Sequence, residues 1–550
     1  MNKLSEFSVL ERGVKLKKAQ TTYFDLIVIG GGITGAGIAL DAITRGLSVL
    51  LLEKTDFASG TSSKSTKLIH GGLRYLKQFE IGLVRETGTE RAVVHKLAPQ
   101  LVHPEKMLLP IVKNGTFGKF SASMAISVYD LLAGVEKEDR KKTLSKAKTH
   151  AHEPLLRKDI LKGGVEYSEY RTDDARLTIE NIKAAHRNGA VIFNYCEVVD
   201  LLYNNGKVSG VKVKDHVIND AVEFNGKHIV SATGPWVDVI REKDNSLQGN
   251  RLRLTKGVHL VFNKSKLPLK QAIYFDAFDG RMLFAIPRGR VTYVGTSDTD
   301  YQGDKDRVVC TPDDVEYILK ATNFMLEVEK LKPSDVISSW AGLRPLIQEE
   351  GKSPSELSRK DEIFESDSGF VSIAGGKLTG YRKMAERIVD LLQERDESLS
   401  QKKCSTGSIV LAQIPIGNYK NVKKYISELS EYFKSIDEDA YYGWYLVTNY
   451  GKSADEIIDA LKYNIETGWP FEKALIKAEI DFCIKYESVF NPDDFFNRRT
   501  GMLYFDPKRL KENISFIHEC FSEIFNWDNT EKTLSEKLSR EHIDDVILIK

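Results

Sequence analysis

Cysteines are few in this sequence, charges of the two signs balance, and no long apolar run is present. The five cysteines lie far apart, and no two have the C-x-x-C spacing of a metal site. No zinc ribbon or iron–sulfur cluster is therefore encoded locally, and we expect free, mostly buried thiols. Lys and Arg number 79 and Asp and Glu 78, so the net charge is only +1. Without a field of one sign to gather polyanions, we expect no nucleic acid as the main partner.

No apolar stretch approaches the roughly 18 residues of a membrane-spanning helix. The first twenty residues also lack the continuous apolar core of a secretory signal. We therefore expect a cytoplasmic protein. With 550 residues, of which 41% are hydrophobic, the chain is long enough for two or three domains with separate cores.

The first domain begins with an apolar run that ends in glycines. Residues 24–29 read FDLIVI, three glycines follow at 30–32, and the chain continues as ITGAGIALDAITRG with helical periodicity. A second apolar run, residues 47–52, ends at Glu53. This order predicts a strand, a tight turn, a helix and a second, parallel strand.

Gly30, Gly32 and Gly35 form the pattern G-x-G-x-x-G, which is typical of dinucleotide binding when a strand precedes it. The glycines allow a tight turn, a close approach of a pyrophosphate and close packing of the helix on the strand. Amides at the helix N-terminus bind phosphate, and Glu53 can accept hydrogen bonds from a ribose. The pattern by itself does not distinguish FAD from NAD.

The next segment, residues 56–76, favours FAD. It reads DFASGTSSKSTKLIHGGLRYL and is dense in Ser, Thr and Gly, as an extended FAD requires for hydroxyl and backbone contacts along its length. A flexible surface loop is the alternative, but it would then expose too much apolar surface at Leu68, Ile69, Leu73, Tyr75 and Leu76. The predicted cofactor contacts here are Ser62, Ser63, Lys67, Leu68, His70, Gly71 and Gly72.

Two later segments repeat the apolar run followed by glycine, at 228–234 and 369–392. If both join the first strand in one sheet, the cofactor domain is discontinuous. Alternating segments between them, such as 257–262 and 281–287, predict an antiparallel sheet, and the chain beyond 392 becomes a charged linker followed by helical periodicity.

The predicted fold is therefore α/β, with a Rossmann-like FAD-binding domain, an inserted and mostly antiparallel β-sheet domain that holds the substrate, and a helical C-terminal cap domain. The expected division is an N-terminal arm (1–22), the FAD-binding domain (about 23–100, 165–240 and 340–392), the sheet domain (about 101–164 and 241–339), a linker (393–408) and the cap (409–550).

Several blocks of the sequence together identify a family. They include GGGITGAGIALDAITRG, TSSKSTKLIHGGLRYL, EYRTDDARL, ATGPW, KGVHLVF, WAGLRPL, SRKDEIF and AGGKLTGYRKMAE, and they cover most of residues 22–390. The chain resembles the FAD-dependent glycerol-3-phosphate dehydrogenases of the aerobic, respiratory type. This resemblance implies oxidation of sn-glycerol 3-phosphate to dihydroxyacetone phosphate, with electrons passed from the flavin to a membrane quinone. The further FAD contacts it implies are Thr233, Gly234, Gly375, Gly376, Lys377, Leu378 and Thr379.

A phosphorylated substrate requires cations, and the planar fork of arginine matches phosphate oxygens better than lysine does. The predicted phosphate and substrate contacts, all within the matching blocks, are Arg74, Arg344, Arg359 and Lys377. Each could instead be a solvated surface charge, and Lys377 could serve the flavin. Arg74 and Arg344 have apolar neighbours and Gly or Pro beside them, which favours burial with a partner.

Hydride transfer leaves a hydroxyl proton that needs a base, and a neutral histidine suits this near pH 7. His259 is the first candidate, in agreement with the family pattern, and a satisfied core histidine is the alternative. His70 is the second candidate, unless it packs against the isoalloxazine ring. Tyr75 could donate a hydrogen bond to the substrate or be a core aromatic residue.

No metal site is predicted. His150, His152 and Glu153 have ligand-like spacing, but they lie in a Lys-rich loop without a distant ligand, and flavin hydride chemistry needs no metal.

A quinone acceptor would require contact with the inner face of the cell membrane. The N-terminal segment VLERGVKLKK, which is basic and apolar, is a candidate for this contact, although a frayed arm would look the same. A homodimer is a further candidate assembly.

Three alternative functions remain open at this stage. An oxidase on the same scaffold would return electrons to oxygen and produce hydrogen peroxide. An amine oxidase of the same superfamily would need a carboxylate-binding pocket. A flavin-binding interaction protein would have no reason to keep Arg74, His259, Arg344 and Lys377 together.

Overall fold

A computed structural model describes residues 4–70, 81–116, 141–348 and 361–547. The strands are β1 (Tyr23–Ile29), β2 (Val49–Leu52), β3 (Leu68–Ile69), β4 (His103–Val112), β5 (Lys142–Ser145), β6 (Leu161–Arg171), β7 (Val191–Phe193), β8 (Cys196–Asn204), β9 (Lys207–Asp215), β10 (Asp220–Ser231), β11 (Leu252–Asn263), β12 (Ala272–Asp276), β13 (Met282–Arg288), β14 (Val291–Gly295), β15 (Thr299–Asp300), β16 (Val336–Ile347), β17 (Asp361–Glu365) and β18 (Val371–Gly375).

The α-helices are α1 (Arg12–Gln20), α2 (Ile33–Thr44), α3 (Ile81–Leu97), α4 (Lys146–His152), α5 (Asp174–Arg187), α6 (Val237–Lys243), α7 (Pro312–Met325), α8 (Tyr381–Arg395), α9 (Tyr419–Ser435), α10 (Tyr441–Tyr450), α11 (Ala454–Glu466), α12 (Phe471–Tyr486), α13 (Met502–Phe505), α14 (Pro507–Phe525) and α15 (Asn529–Ile547). A π-helical turn, Asp494–Arg499, lies between α12 and α13. In the described parts of the chain, no helix combines the length and the apolar character needed to cross a membrane.

The first sheet has the strand order β17-β18-β10-β1-β2-β7, with β8 and β9 continuing from β10 as an antiparallel hairpin. The strands β18, β10, β1, β2 and β7 run parallel. Alternate residues of β1 enter different cores: Leu26 and Val28 face α2, α5 and α8, whereas Ile27 and Ile29 face the opposite side. The prediction that three separated segments share one sheet is confirmed.

The N-terminal segment differs from the expected arm. Its helix α1 buries Leu16 and Ala19 in the core on the back of the first sheet, and Arg12 pairs with Asp215 at 2.8 Å. An apolar pair at helical spacing together with a buried ion pair fixes this helix to the sheet.

The second sheet has the order β15-β11-β14-β13-β12-β4-β6-β3, with β16 paired to β11 and β5 to β6. Its pairs are antiparallel except for β4 with β12. Two expected domain boundaries are wrong, because residues 165–171 belong to β6 and residues 340–347 to β16, both in this sheet. The backbone ladder between β16 and β11 extends from Leu252 opposite Ile347 to Phe262 opposite Val336, a pairing that local sequence patterns do not reveal.

Helices cover both faces of the second sheet. On one face, Ile318 of α7 belongs to the same core as Leu260 of β11. On the other face, Val261, Tyr293 and Trp340 belong to the same core as the helices α9 to α15. The C-terminal helices therefore form a helical domain, as predicted, and this domain rests on the second sheet.

Candidate cofactor and substrate site

A cavity of about 330 Å³ lies where the carboxyl ends of β1, β10 and β18 meet strands β11 and β16 of the second sheet. This volume and position are typical of a ligand site at the edge of a parallel sheet. The predicted residues that line it are Gly30, Gly32, Glu53, Ser62, Leu68, His70, Thr233, Gly234, His259, Arg344, Gly375, Gly376, Lys377, Leu378 and Thr379. Five predicted residues lie outside the described parts of the chain: Gly71, Gly72, Arg74, Tyr75 and Arg359.

The turn after β1 requires its glycines for steric reasons. Gly30 has φ +109°, and a Cβ there would lie 2.7 Å from the carbonyl oxygen of Ala232 on the neighbouring strand. A Cβ on Gly35 would lie 1.9 Å from the carbonyl oxygen of Gly30, so the helix can approach the strand only without a side chain. Gly32 caps α2, which places the first helical amides at the cavity. The turn therefore has the close helix-to-strand packing expected of a dinucleotide site.

Two side chains order the edges of this turn. Glu53 accepts hydrogen bonds from the amides of Gly31 (2.7 Å) and Thr55 (3.0 Å), and burial raises the pKa of its carboxyl group. Ser62 accepts a hydrogen bond from the amide of Ile33 at 3.0 Å, at the start of α2. A hydroxyl and a helix N-terminus thus lie side by side on the cavity wall.

His259 lies on β11 with only 1% of its surface exposed. Its ring stacks on Trp340 with centroids 4.7 Å apart and planes at 12°, and Nε2 is 3.0 Å from the hydroxyl of Thr66. Burial, together with the charges of Arg344 and Lys67, lowers the pKa of His259 well below 6.5. The imidazole is therefore neutral at pH 7. Its Nδ1 is buried and has no hydrogen-bond partner within the described ranges.

Arg344, on β16, is held by the 296–298 segment. It donates hydrogen bonds to the hydroxyl of Thr296 (2.8 Å), the carbonyl of Ser297 (3.2 Å) and the carboxylate of Asp298 (3.0 Å). A Cβ on Gly257 would lie 2.2 Å from Nη2 of Arg344, so the glycine on β11 leaves space for the guanidinium. Arg344 and His259 therefore reach one cavity from neighbouring strands.

The end of β18 joins this wall. His70 and Thr379 are linked twice, through the His70 amide to the Thr379 hydroxyl and from that hydroxyl to the His70 carbonyl, each at 3.1 Å. The rings of His70 and Phe284 are arranged edge to face, with their centroids 5.9 Å apart. Lys377 lies two residues before Thr379 and also lines the cavity. The segments around residues 70 and 377, more than 300 positions apart, thus form one surface.

Three predicted residues have other positions. Gly35 packs against the strand instead of lining the cavity, as its place in the glycine pattern requires. Ser63 and Lys67 are absent from the lining, because Lys67 is buried in an ion pair with Asp174 and donates to the Ser63 carbonyl at 3.0 Å. For Lys67 this differs from the expected cofactor contact. The ion pair anchors the base of the Ser/Thr-rich loop.

Among the lining residues that the sequence interpretation missed are Lys64, Trp236 and Lys54. Lys64, from the same loop, has a pKa lowered to about 8 by burial and by the charge of Arg498. Trp236 and Lys54 form a second unit, in which the ammonium lies 4.4 Å from the ring centroid. The position of Lys64 in TSSKSTK and of Trp236 in ATGPW gave a signal, but neither block distinguishes inward from outward side chains.

The residues present fit FAD. The glycine turn brings the N-terminus of α2 to the cavity, Ser62 and Thr233 supply hydroxyls, and two buried nitrogens of the lining, Trp236 Nε1 and His259 Nδ1, have no partner among the described residues. Buried polar atoms of this kind are rarely left unpaired, so a polar ligand is expected beside them. The described ranges contain no cluster of three or more His, Cys, Asp or Glu side chains suited to a metal ion.

Comparison with known proteins supports FAD as the cofactor. A family model for FAD-dependent oxidoreductases matches residues 25–382, and one for the C-terminal domain of alpha-glycerophosphate oxidase matches residues 405–532. The aerobic glycerol-3-phosphate dehydrogenase of Bacillus subtilis is 48% identical over 538 residues, 96% of either chain. The enzyme of the same name from Staphylococcus aureus is 49% identical over 520 residues, 93% of this chain and 92% of the other.

Solved structures extend the comparison. The glycerol-3-phosphate dehydrogenase of Bacillus halodurans, crystallised with FAD, superposes with a TM-score of 0.83 at 40% identity and covers 98% of both chains. The L-alpha-glycerophosphate oxidase of Mycoplasma pneumoniae has a TM-score of 0.56 at 20% identity, over 68% of this chain and 95% of that one, and shares the fold alone. The chain is therefore an FAD-dependent oxidoreductase that belongs to the aerobic glycerol-3-phosphate dehydrogenase family.

Proposed function

We propose that this enzyme oxidises sn-glycerol 3-phosphate to dihydroxyacetone phosphate and passes the electrons to a membrane quinone. In the oxidation, the C2–H bond breaks with its electron pair, the C2 hydroxyl loses its proton, and a carbonyl forms. The observation that supports this best is the pair His259 and Arg344, a neutral base candidate and a fixed guanidinium that line one cavity from adjacent strands.

His259 has the protonation state that a base requires. In the tautomer that donates Nε2–H to the Thr66 hydroxyl, Nδ1 keeps its lone pair and can accept the proton from the C2 hydroxyl. The stack on Trp340 and the bond to Thr66 fix the plane of the ring. We assign His259 the role of base, and His70, which lines the same cavity, remains the second candidate.

Arg344 and Lys377 are the proposed contacts of the substrate phosphate within the described residues. The hydrogen bonds from Arg344 to Thr296, Ser297 and Asp298 hold the guanidinium in one orientation, so little conformational entropy is lost when a phosphate binds. Two cations against a dianion also favour a phosphate ester over an amino acid. Arg74, Arg359 and Tyr75 remain predicted members of the same group.

FAD, when bound, accepts the hydride from C2. The residues that would hold it are those of the glycine turn, Ser62, Thr233 and the 375–379 segment, all of which line the cavity. His259 and Arg344 lie on strands of the second sheet, so each sheet supplies one side of the site. We therefore expect the substrate to bind opposite the dinucleotide turn.

Reduction of the flavin by its substrate can be tested in the absence of oxygen. Anaerobic addition of glycerol 3-phosphate should bleach the yellow flavin absorbance, and a soluble quinone analogue should restore it. Glycine or another amino acid should leave the spectrum unchanged. Flavin that stays oxidised with glycerol 3-phosphate would contradict the proposed substrate, and near-stoichiometric hydrogen peroxide in air without quinone would replace the quinone acceptor with oxygen.

The proposed membrane contact involves the outer face of α1 and the turn before it. Leu10 and Val14 are 60% and 78% exposed although they are apolar, and the basic residues Lys17 and Lys18 follow on the exposed side of the helix. An apolar stripe beside lysines is typical of a helix that lies on an anionic bilayer. The variant Val14→Asp should reduce co-sedimentation with anionic lipid vesicles, whereas an unchanged bound fraction would contradict this contact.

A further inference from the structure

The C-terminal domain reaches the cofactor side of the molecule through two arginines. Arg498 and Arg499 lie at the end of the π-helical turn, and both side chains are buried. Short π-helical turns are rare in proteins, and those that do occur are often found at functional sites. Neither arginine lines the cavity, so an effect on cofactor binding has to pass through other residues.

Both arginines converge on Asp56 in the loop after β2. Asp56 Oδ2 accepts hydrogen bonds from Arg498 Nε (2.6 Å) and Arg499 Nη1 (2.7 Å), and Oδ1 accepts one from Arg499 Nη2 (2.9 Å). Burial alone would raise the pKa of Asp56, but Arg499 and Arg498 outweigh it and hold the pKa below its usual value. Buried charges are costly when one partner is removed, so the three side chains depend on one another.

The residues that follow Asp56 contact the dinucleotide turn. The amide of Ala58 donates a hydrogen bond to the carbonyl of Gly31 at 3.1 Å, and a Cβ on Gly31 would lie only 2.9 Å from the Phe57 ring. Ala58 has φ +62°, a left-handed conformation that alanine adopts only where its surroundings impose it. The next residues, 59 and 60, line the cavity. A continuous series of contacts thus connects the arginines to the turn.

We propose that Arg498 and Arg499 are positioning residues for FAD. By holding Asp56 they fix residues 57–60 against the dinucleotide turn, so the C-terminal domain determines how tightly the cofactor is retained. The inference depends on FAD as the cofactor, which family membership establishes, and on neither the proposed substrate nor the electron acceptor. It gives the helical domain a role in cofactor binding, although that domain contributes no residue to the cavity wall within the described ranges.

The test measures FAD retention in Asp56→Asn and Arg499→Met. Asparagine has nearly the size of aspartate but no charge, and methionine removes the guanidinium. For each variant, holoenzyme is diluted and the released flavin is followed by its fluorescence, and the melting temperatures of the holoenzyme and the apoenzyme are compared. We expect the dissociation constant of FAD to rise by about tenfold or more. The difference between the two melting temperatures should shrink accordingly, because ligand stabilisation follows affinity.

A matched control separates positioning from general destabilisation. Arg509 is also a buried arginine of the C-terminal domain, but it pairs with Glu472 and Glu479 inside that domain. Arg509→Met should lower both melting temperatures alike and leave FAD affinity within about twofold. The proposal is overturned if Asp56→Asn folds and, like the control, binds FAD with a dissociation constant within about twofold of that of the parent enzyme. If neither Asp56→Asn nor Arg499→Met folds, the same measurement is made on Arg499→Lys, since lysine keeps the charge but not the paired hydrogen bonds to Asp56. A rise of about tenfold in the dissociation constant of FAD then supports the proposal, and a value within about twofold of the parent enzyme overturns it.

Discussion

Replacing His259 by glutamine should slow flavin reduction far more than it destabilises the protein. The substitution removes the base that we propose for the C2 hydroxyl, and a positioned base typically contributes about 10²–10⁴-fold in rate. Glutamine retains a polar amide near Thr66, but it cannot accept a proton at neutral pH. The oxidised flavin spectrum should be unchanged, because the glycine turn follows β1 of the first sheet, whereas His259 lies on β11 of the second.

The structural cost of this change is modest by comparison. The bond between Nε2 and Thr66 at 3.0 Å contributes about 0.5–1.5 kcal/mol, and the stack on Trp340 contributes about the same. The sum, about 1–3 kcal/mol, lies below the 5–15 kcal/mol by which domains are typically stable. His259→Gln should therefore fold and bind FAD.

The assay is anaerobic stopped-flow mixing with glycerol 3-phosphate, with the decay of flavin absorbance as the signal. Trp340→Phe serves as the control, since it keeps the base and a ring beside it but loses the bond from its indole nitrogen to Ser65 (3.1 Å). The control should reduce the flavin within about tenfold of the parent rate despite a comparable loss of stability. A reduction rate of His259→Gln within the same range would refute the assignment of the base.

Three other perturbations have defined outcomes. The kcat/KM, corrected for the titration of the substrate phosphate at about pH 6, should fall only below pH 6.5. The base is lost when His259 is protonated, and burial together with the charges of Arg344 and Lys67 lowers the pKa of His259. A midpoint of this fall at or above pH 6.5 would contradict the assignment. Arg344→Ala should weaken substrate binding by about 10–100-fold while FAD stays bound, and equal loss of both would show a different role. Gly35→Ala, whose Cβ would lie 1.9 Å from a carbonyl oxygen, should yield insoluble or FAD-free protein, whereas Gly13→Ala, with nothing within 4 Å, should remain yellow; normal FAD content in Gly35→Ala would count against the packing argument.

Local patterns in the sequence predict the dinucleotide turn well. The glycine spacing, the preceding strand and the acidic residue at the next strand all lie within about thirty residues, the size of one βαβ unit. The same signal, an apolar run followed by glycine, also placed β10 and β18 in the first sheet. These features depend on backbone geometry that only particular residues allow, and for this reason they can be read from one sequence.

Pairings between distant segments could not be predicted in this way. The motif WAGLRPL was assigned to the FAD domain. It lies on β16, however, and β16 belongs to the second sheet, where it pairs with the distant strand β11. In TSSKSTK, the sequence indicated Lys67 and not Lys64 as a cofactor contact, whereas the ion pair with Asp174 turns Lys67 away from the cavity and Lys64 lines it. The Asp56 cluster joins residues more than 400 positions apart, and neither of its ends has a local signature.

The walls of the cavity also set an order of events during synthesis. Gly30 leaves the ribosome early, whereas Thr379, which lines the same cavity, is 349 residues further along the chain (379 − 30). At about 5–20 residues per second, that interval is roughly 20–70 s. Until then β10, the parallel neighbour of β1, lacks its own parallel partner β18, and the surface formed by His70 with Thr379 is missing. The nascent chain must therefore keep an apolar half-sheet in solution for tens of seconds before it can capture its flavin.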